Sequence, residues 1–125
     1  MPYHLEPSEC GRYILMTVTG DINSQTAIGQ NLEAHALGKQ LGIRRYLVDL
    51  TNSKNTESVL GNYTFAREDM KETEGIDEGA RVALLVSPDD HSHDFFETVA
   101  RNSGLSVTIF RDRDLALQHV TGPLP

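Results

Sequence analysis

The chain has 125 residues, which suffices for one hydrophobic core but not for two, so we expect a single domain spanning residues 1–125. Its 11 lysines and arginines are outnumbered by 18 acidic residues, and the net charge of −7 disfavours nucleic acid as a partner, because most of the surface would repel a phosphate backbone. Cys10 is the only cysteine, which excludes an internal disulfide and a cysteine-rich metal site.

The hydropathy of the chain gives no sign of a membrane segment. No apolar run approaches the roughly 20 residues that are needed to span a bilayer. The first residues, Met1 to Glu6, lack the basic and apolar regions of a signal peptide. We therefore expect a soluble, cytoplasmic protein without a membrane span.

Two strands and a helix are predicted in the first third of the chain. Tyr3–Leu5 and Tyr13–Thr19 have strand character and are joined by a turn-rich stretch, which is typical of a hairpin. The chain then breaks, and Asn23 or Ser24 can cap a helix that spans about Ser24–Leu41. The apolar positions near helical spacing in this helix are Ile28, Leu32, Ala36 and Leu37.

Two further strands and a second helix are predicted in the middle of the chain. Tyr46–Leu50 is nearly all apolar, as expected for a strand that is covered on both faces. Val82–Val86 is the most apolar run and is our candidate for the central strand. Between them, apolar residues spaced four, three and four apart predict one face of a helix, formed by Val59, Tyr63, Ala66 and Met70.

The last third predicts a helix, a strand and a final helix. The third helix ends near Gly104, and its inward face is formed by Phe95, Phe96, Val99 and Ala100. Val107–Phe110 forms the last strand, and Asp112 can cap a fourth helix that contains Leu115–Val120. The order is therefore ββαβαβαβα, an α/β fold in which about five strands form a mixed, mostly parallel sheet with four helices. We expect the first strand to lie antiparallel at one edge.

The order of elements, together with three short segments, resembles the SpoIIAA-like proteins of the STAS/SEC14-domain group. The segments are Gly20-Asp21 before the first helix, Tyr46–Leu50 as the third strand and Phe110-Arg111-Asp112 before the last helix. Members include bacterial anti-sigma factor antagonists, STAS modules of transporters and sensors, and distant relatives of lipid-transfer domains. The resemblance implies a SpoIIAA-like fold and a role in binding partners rather than in catalysis.

One part of the family pattern is missing. Anti-sigma factor antagonists carry an Asp-Ser-Ser-Gly-type motif at the start of the second helix, where a kinase partner phosphorylates a serine. Here the segment 55–61 reads Asn-Thr-Glu-Ser-Val-Leu-Gly, so Thr56 and Ser58 supply hydroxyls without the motif. The resemblance therefore does not carry over a phosphorylation switch, and Thr56 is more simply interpreted as a helix N-cap.

The candidate site lies beyond the carboxyl ends of the parallel strands, where helix N-termini present free N–H groups. Four loops rich in Asp, Asn and Ser should meet there, and helix capping is their simplest role. Asp49 differs because it lies within an apolar strand, so we expect it to find a donor and to order the loop after its strand. The residues predicted to contact a partner or ligand are Asp49, Thr51, Ser53, Thr56, Ser58, Arg67, Ser87, His91 and Arg111.

The segment Asp89–Asp94 is the densest polar cluster, and its imidazoles and carboxylates are possible metal ligands. His91 and His93 would diverge by about 200° on a helix, and no third ligand is specified. A solvated helix start, whose acidic residues suit the helix dipole, is the simpler interpretation. Because the histidines diverge and a third ligand is missing, we predict no metal site. Since neither a phosphate-binding glycine motif nor a nucleophile elbow occurs, we also predict no cofactor and no catalytic residue.

Three functional hypotheses follow. The first is a bacterial, non-enzymatic regulatory or protein-binding module that acts through the carboxyl-edge loops or through the exposed face of the second helix. The second is a carrier of a small apolar or anionic, lipid-like ligand in a pocket between that helix and the sheet. The third, a minor alternative, is a metal-dependent hydrolase around His91. Mixed charge around the second helix favours the protein partner over the ligand, and a homodimer is compatible with this interpretation.

Overall fold

The computed structural model describes residues 3–56, 61, 64 and 79–122. Its strands are β1 (Tyr3–Pro7), β2 (Ile14–Thr19), β3 (Arg45–Asn52), β4 (Arg81–Leu85) and β5 (Ser106–Phe110). Its helices are α1 (Ser24–Leu41), α2 (Asp94–Asn102) and α3 (Arg113–Thr121). The predicted helix that contains Val59, Tyr63, Ala66 and Met70 lies outside the described residues. The other predicted elements are all present, and none of the described helices is long and apolar enough to cross a membrane.

The five strands form one sheet in the order β1-β2-β3-β4-β5. β1 is antiparallel to β2, whereas the pairs β2-β3, β3-β4 and β4-β5 are parallel, so the predicted mixed α/β sheet is confirmed. The prediction that Val82–Val86 forms the central strand is wrong, because β3 occupies the middle of the sheet. Both β3 and β4 have a neighbouring strand on each side, so both are interior strands of the sheet. Apolar composition alone therefore does not show which of the two lies at the centre.

Alternation of side chains along the strands gives the sheet two different faces. On one face, Met16, Val48 and Leu84 belong to a core that also takes in residues of α1 and α2. On the other face, Leu47 and Leu85 pack with residues of α3. Right-handed crossovers from β2 to β3 and from β4 to β5 place α1 and α2 on the same face of the sheet, which explains why these two helices share one side.

Two helices bury residues that hydropathy does not single out. On α1, Gln30 and His35 are buried although both are polar, while Ala36 is exposed. His35 stacks on Tyr46 with ring centroids 4.7 Å apart, and this contact explains its burial. On α2, the prediction that Phe95 faces inward is wrong, because its exposed fraction is 40%. The short helix turns its neighbour Phe96 towards the core instead, about 100° further around the helix axis.

Two N-cap residues define where α1 and α3 begin. Asn23 is the N-cap of α1, and its side chain accepts a hydrogen bond from the backbone N–H of Thr26 at 3.0 Å. The predicted cap of the last helix is confirmed, since Asp112 accepts from the N–H groups of Asp114 (2.8 Å) and Leu115 (3.2 Å). Both caps satisfy N–H groups that would otherwise have no partner at the helix start.

Candidate functional site at the carboxyl edge of the sheet

The loops after β2, β3 and β4 form one hydrogen-bonded unit. The N–H of Ile22 donates to the carbonyl of Lys54 at 2.8 Å, and the N–H of Thr56 donates to the carbonyl of Ile22 at 2.9 Å. Ile22 and Asn55 form a parallel bridge between the two loops. The N–H of Asn55 then donates to the hydroxyl of Ser92 at 3.0 Å. Chain segments from three different crossovers are therefore held in a fixed arrangement at this edge.

Both carboxylate oxygens of Asp49 accept hydrogen bonds. Its Oδ1 accepts from the N–H of Thr51 at 3.0 Å and from the Thr51 hydroxyl at 2.7 Å, and its Oδ2 accepts from Arg113 at 2.9 Å. Burial raises the pKa of Asp49, but the hydrogen bonds from Thr51 and the charge of Arg113 outweigh this effect and lower the pKa below its usual range. The ionised carboxylate thus connects the end of β3 to the first residue of α3.

Asp90 and His93 form a buried pair before the first turn of α2. Their exposed fractions are 8% and 3%, and His93 Nε2 lies 3.6 Å from Asp90 Oδ2. The same nitrogen lies 3.3 Å from the carbonyl oxygen of Ser53, while Asp90 Oδ1 accepts from the N–H of Ser92 at 2.8 Å. The interpretation of Asp89–Asp94 as a wholly solvated helix start is therefore wrong for these two side chains.

Burial has opposite effects on the two members of this pair. Burial lowers the pKa of His93, and the contacts with the Ser53 carbonyl and with Asp90 only partly offset it, so the net pKa lies below the ordinary value of 6.5. Burial raises the pKa of Asp90, but hydrogen bonds from Ser92 and the nearby positive charges bring it below its usual range. At neutral pH the pair therefore consists of a carboxylate and a neutral imidazole.

Arg111 organises the exposed rim of the same edge. Its guanidinium donates to the carbonyl of Asp90 at 2.9 Å and to the carboxylate of Asp94 at 2.9 Å, and it lies 3.2 Å from His91 Nδ1. His91 Nδ1 is also 2.8 Å from the other oxygen of Asp94. Burial raises the pKa of Asp94, but His91 and Arg111 outweigh it and lower the pKa. We call Arg111, Asp94 and His91 the rim cluster.

Hydroxyl groups line the adjoining part of the edge. Ser87 donates to the carbonyl of Thr51 at 2.8 Å, which joins the end of β3 to the loop after β4. The hydroxyl of Thr56 donates to the carbonyl of Ile22 at 3.3 Å, and its capping role depends on residues 57–60, which lie outside the described part of the chain. Ser53 Oγ is buried, and none of the described residues provides it with a hydrogen-bond partner.

A polar concavity of about 460 Å³ opens between these loops. Its described lining consists of Asp21, Thr51, Asn52, Ser53, Lys54, Ser87, Asp89 and Asp90. Three of these side chains are acidic and one is basic. The concavity therefore favours polar or cationic groups over apolar ones.

The geometry does not assemble a nucleophile with a base among the described residues. His93 directs a single nitrogen towards both Asp90 and the Ser53 carbonyl, whereas a relay needs the carboxylate and the nucleophile on opposite ring nitrogens. Within the same part of the chain, no group of three or more His, Cys, Asp or Glu side chains is arranged to hold a metal ion. The described side chains at this edge offer hydrogen bonding and charge recognition.

Seven of the nine sequence-predicted contact residues lie at this edge in the described structure: Asp49, Thr51, Ser53, Thr56, Ser87, His91 and Arg111. Ser58 and Arg67 lie outside the described residues. The residues predicted from the sequence to contact a partner or ligand did not include Asp90 or His93. Their Asp-x-x-His spacing, which places both side chains on one side of a helical turn, is the signal that could have identified them.

A second, mainly apolar pocket lies between the sheet, α1 and α2. Its volume is about 100 Å³. Strand residues such as Val48, Leu50 and Leu84 contribute to its walls, while Asn31 and His35 contribute polar atoms from α1. The sequence predicted a ligand pocket between the second predicted helix and the sheet, and that helix lies outside the described residues. The pocket beside α1 is smaller than the several hundred Å³ of a typical cavity for drug-sized ligands.

Structural comparison relates the chain to solved structures, two of which are described here, whereas no protein-family model and no curated protein matches its sequence. The structure of the anti-sigma factor antagonist SpoIIAA in its unphosphorylated form is similar with a TM-score of 0.57 and 14% identity, covering 99% of this chain and 100% of that chain. An uncharacterised DUF3478-family protein from Shewanella loihica PV-4 is similar with a TM-score of 0.50 and 17% identity, covering 95% of this chain and 92% of that chain. It is described as having a SpoIIAA-like fold. The chain therefore has a SpoIIAA-like fold, as its resemblance to that group implied.

Proposed function

We propose that this chain is a non-enzymatic, cytoplasmic regulatory module that recognises a protein partner through the carboxyl-edge loops. The fold supports this role, because one of the solved structures that share it is an anti-sigma factor antagonist. The buried side chains of Asp49, Asp90 and His93 support it as well, since their hydrogen bonds hold the loops in one arrangement in the absence of a partner. A preorganised surface loses less conformational entropy on binding.

The observation that carries the proposal is the rim cluster. The side chain of Arg111 is 33% exposed and that of Asp94 is 46% exposed, yet both are held by direct contacts. The side chain of His91 is 69% exposed and contacts the carboxylate of Asp94, to which Arg111 also binds. Fixed charges of both signs at a surface select a partner of complementary pattern and speed its encounter. These groups suit the polar rim of a protein interface.

A charge reversal at the rim tests this proposal. The protein is immobilised, partners are captured from an extract of the source organism and identified by mass spectrometry, and the purified complex is then measured by calorimetry. Arg111→Glu is expected to weaken the complex by at least about tenfold, because it places a like charge against Asp94 and removes the guanidinium that holds the rim cluster together. The matched control, Arg101→Glu, reverses an exposed charge in the last turn of α2 and should change the affinity by less than about twofold.

The proposal fails if no purified protein binds the wild-type chain, or if the two charge reversals weaken the complex equally. Equal weakening would mean that net charge, rather than the rim cluster, controls the interaction. Circular dichroism of both variants shows whether the fold is intact, so that loss of structure is not mistaken for loss of contact.

A small apolar ligand is the second candidate, and the pocket under α1 is the observation that favours it. About 100 Å³ lined by Val48, Leu84 and Phe96 accommodates a molecule no larger than a short acyl or aromatic group. Solvent extraction followed by mass spectrometry would detect such a ligand. Ala27→Leu places a larger side chain on α1 at this pocket and should abolish co-purification if the pocket is the site. A ligand retained by this variant would exclude the pocket.

A further inference from the structure

The polar concavity at the carboxyl edge, with its volume of about 460 Å³, has more acidic than basic residues in its described lining. Asp21 follows β2 and Asp89 follows β4, and both residues are exposed. The third acid is Asp90, and Lys54 is the one basic residue that the described lining contains. Within the part of the chain that the structure describes, none of the three acids has a lysine or arginine nitrogen within ion-pair distance. The described lining therefore carries a formal excess of two negative charges.

Two buried side chains of the same lining lack a full set of partners. The carboxylate of Asp90 is 7% exposed, and the imidazole of His93, 3.6 Å from it, is neutral at neutral pH. Ser53 is 3% exposed, and no described residue provides its hydroxyl with a hydrogen-bond partner. Burial of a carboxylate without an opposite charge in contact, or of a hydroxyl without a hydrogen bond, costs free energy. A cationic group that donates hydrogen bonds within the concavity would offset part of this cost.

The hydrogen-bond acceptors of the concavity are spread over three segments of the chain. Asp21 lies in the loop after β2, Thr51 lies near the end of β3, and Asp89 lies in the loop after β4. No three His, Cys, Asp or Glu side chains of the described chain are grouped to hold a metal ion, whose ligands must lie at about 2.0–2.6 Å from one centre. A guanidinium presents five N–H donors in one plane and so reaches acceptors on several sides at once. The arrangement therefore favours an arginine over a metal ion.

The concavity adjoins the rim cluster. Asp90 lines the concavity, and its carbonyl oxygen accepts a hydrogen bond from Arg111 at 2.9 Å. Ser87, also in the lining, donates to the carbonyl of Thr51 at 2.8 Å and holds two walls of the concavity together. A protein that contacts the rim cluster is therefore close enough to place one of its own side chains in a preformed concavity. The volume of the concavity accommodates a long side chain.

We propose that the concavity receives an arginine side chain of the protein partner, with its guanidinium bound to the carboxylates of Asp21, Asp89 and Asp90. This inference rests on the proposed function and names the chemistry by which that partner is recognised. Arginine is one of the residues that most often carry binding energy in interface pockets. Its hydrogen bonds with carboxylates are charge-assisted and stronger than those between neutral groups. A partner with an acidic residue at the same position is rejected, because its charge faces an excess of like charge.

Arginine with an acetylated amino group and an amidated carboxyl group is the probe, because it carries the charge of the side chain alone. Titration of the full chain, followed by amide NMR, should show saturable shifts at residues of the lining, including Ser53, Lys54 and Asp89. The shifts should diminish with added salt. The same derivative of citrulline, in which an uncharged ureido group replaces the guanidinium, is the matched control and should show no saturable shifts.

Two double variants locate the site. Asp21→Asn/Asp89→Asn should weaken probe binding by at least about fivefold, because it removes the two exposed carboxylates of the lining. Glu6→Gln/Glu9→Gln makes the same change in net charge and should leave the affinity within about twofold. These two exposed acids lie near the end of β1 and in the turn after it, at the opposite edge of the sheet. Since neither Asp21 nor Asp89 makes a side-chain hydrogen bond within the described residues, the first variant should fold, which circular dichroism checks.

Four results would overturn the inference. The first is the absence of saturable binding by the wild-type chain, or equal binding of the citrulline derivative. The second is an equal loss of affinity in the two double variants. The third is free arginine that binds at least about tenfold more tightly than the probe, which would assign the concavity to a small molecule. The fourth is binding seen only in Arg67→Gln/Lys71→Gln, which would show that basic residues of the chain itself occupy the concavity.

The partner complex separates this inference from the proposed function. If Arg111→Glu weakens the complex and Asp21→Asn/Asp89→Asn does not, the inference fails while the proposed function holds. If no protein is captured although the probe saturates the concavity, the proposed function fails and the guanidinium site is retained. Weakening of the complex by both variants, but not by Glu6→Gln/Glu9→Gln, would support the two together.

Discussion

The ring Nε2 of His93 lies 3.6 Å from Oδ2 of Asp90, and both side chains are buried before the start of α2. The same ring nitrogen faces the carbonyl oxygen of Ser53, in the loop after β3. The pair therefore joins two loops of the candidate binding edge from beneath the surface. Because burial holds the imidazole in its neutral form, the stability of this edge depends on pH.

Stability should fall as the pH drops below about 6.5. The pKa of His93 is lower in the folded chain than its ordinary value of 6.5, so the unfolded chain takes up the proton first. The stabilisation is fully present above the unfolded pKa and is lost as the pH falls towards the folded pKa, by at most about 1.4 kcal/mol per pH unit for each such group. Urea unfolding measured from pH 7.5 to 5 gives this slope.

His93→Gln should reduce this slope, because it removes the imidazole whose pKa burial lowers. His119 also has a pKa that burial lowers, so His119→Gln serves as a comparison in the same pH range. The depressed pKa values of Asp49 and Asp90 act in a separate range, because their stabilisation is lost only as the pH falls below their ordinary value of 3.8. A slope unchanged in His93→Gln would contradict the assignment of the effect to this imidazole.

Replacement of Asp49 by alanine should lower the free energy of unfolding by about 1–3 kcal/mol. The substitution leaves the N–H and hydroxyl of Thr51 without their acceptor in a partly buried place. Arg113→Gln should cost less than about 1 kcal/mol, because its side chain is 54% exposed and water can replace the lost contact. Chemical denaturation of both variants measures the difference. An Asp49→Ala variant as stable as the parent would assign the carboxylate to partner recognition instead.

Two glycines of α1 should respond oppositely to alanine. A Cβ atom at Gly38 would lie 2.7 Å from the carbonyl oxygen of Ile43 and would overlap the hydroxyl of Tyr46, so Gly38→Ala should destabilise by about 1–3 kcal/mol. No atom of the described part of the chain lies within 4 Å of a Cβ at Gly29, so Gly29→Ala should stabilise by up to about 1 kcal/mol through helix propensity. Thermal unfolding of the two variants tests the close approach of α1 to β3. Equal effects would refute it.

The N-cap of α3 should contribute about 1 kcal/mol. Asp112→Ala removes the acceptor for the N–H groups of Asp114 and Leu115 and should destabilise by about 0.5–2 kcal/mol. Asp114→Ala, also an exposed acid of the first turn, loses only its interaction with the helix dipole and should cost less, about 0.3–1 kcal/mol. The ranking of the two variants in urea denaturation is the critical result, since reversal would place the cap at a different residue.

Local signals along the chain predicted most of the described elements. The break before Asn23 and the cap at Asp112 depend on residues within three positions of each other, so a single sequence is enough to find them. The same holds for the alternation of apolar strands with helices. The burial of Phe95 was mispredicted because helical spacing does not say which side of a short helix meets the sheet.

The sequence by itself determined the α/β class, the strand spans and the edge at which polar loops gather, because these follow from local periodicity and capping. Only the tertiary structure decided which polar residues are buried there, since the contact of His93 with Ser53 joins residues 40 positions apart. It likewise brought Arg45 to Val120 across 75 positions and Arg12 to Thr121 across 109. Strand pairing creates such contacts, and neither hydropathy nor spacing encodes which distant residues will meet, so these contacts became visible only once the sheet and α3 were in place.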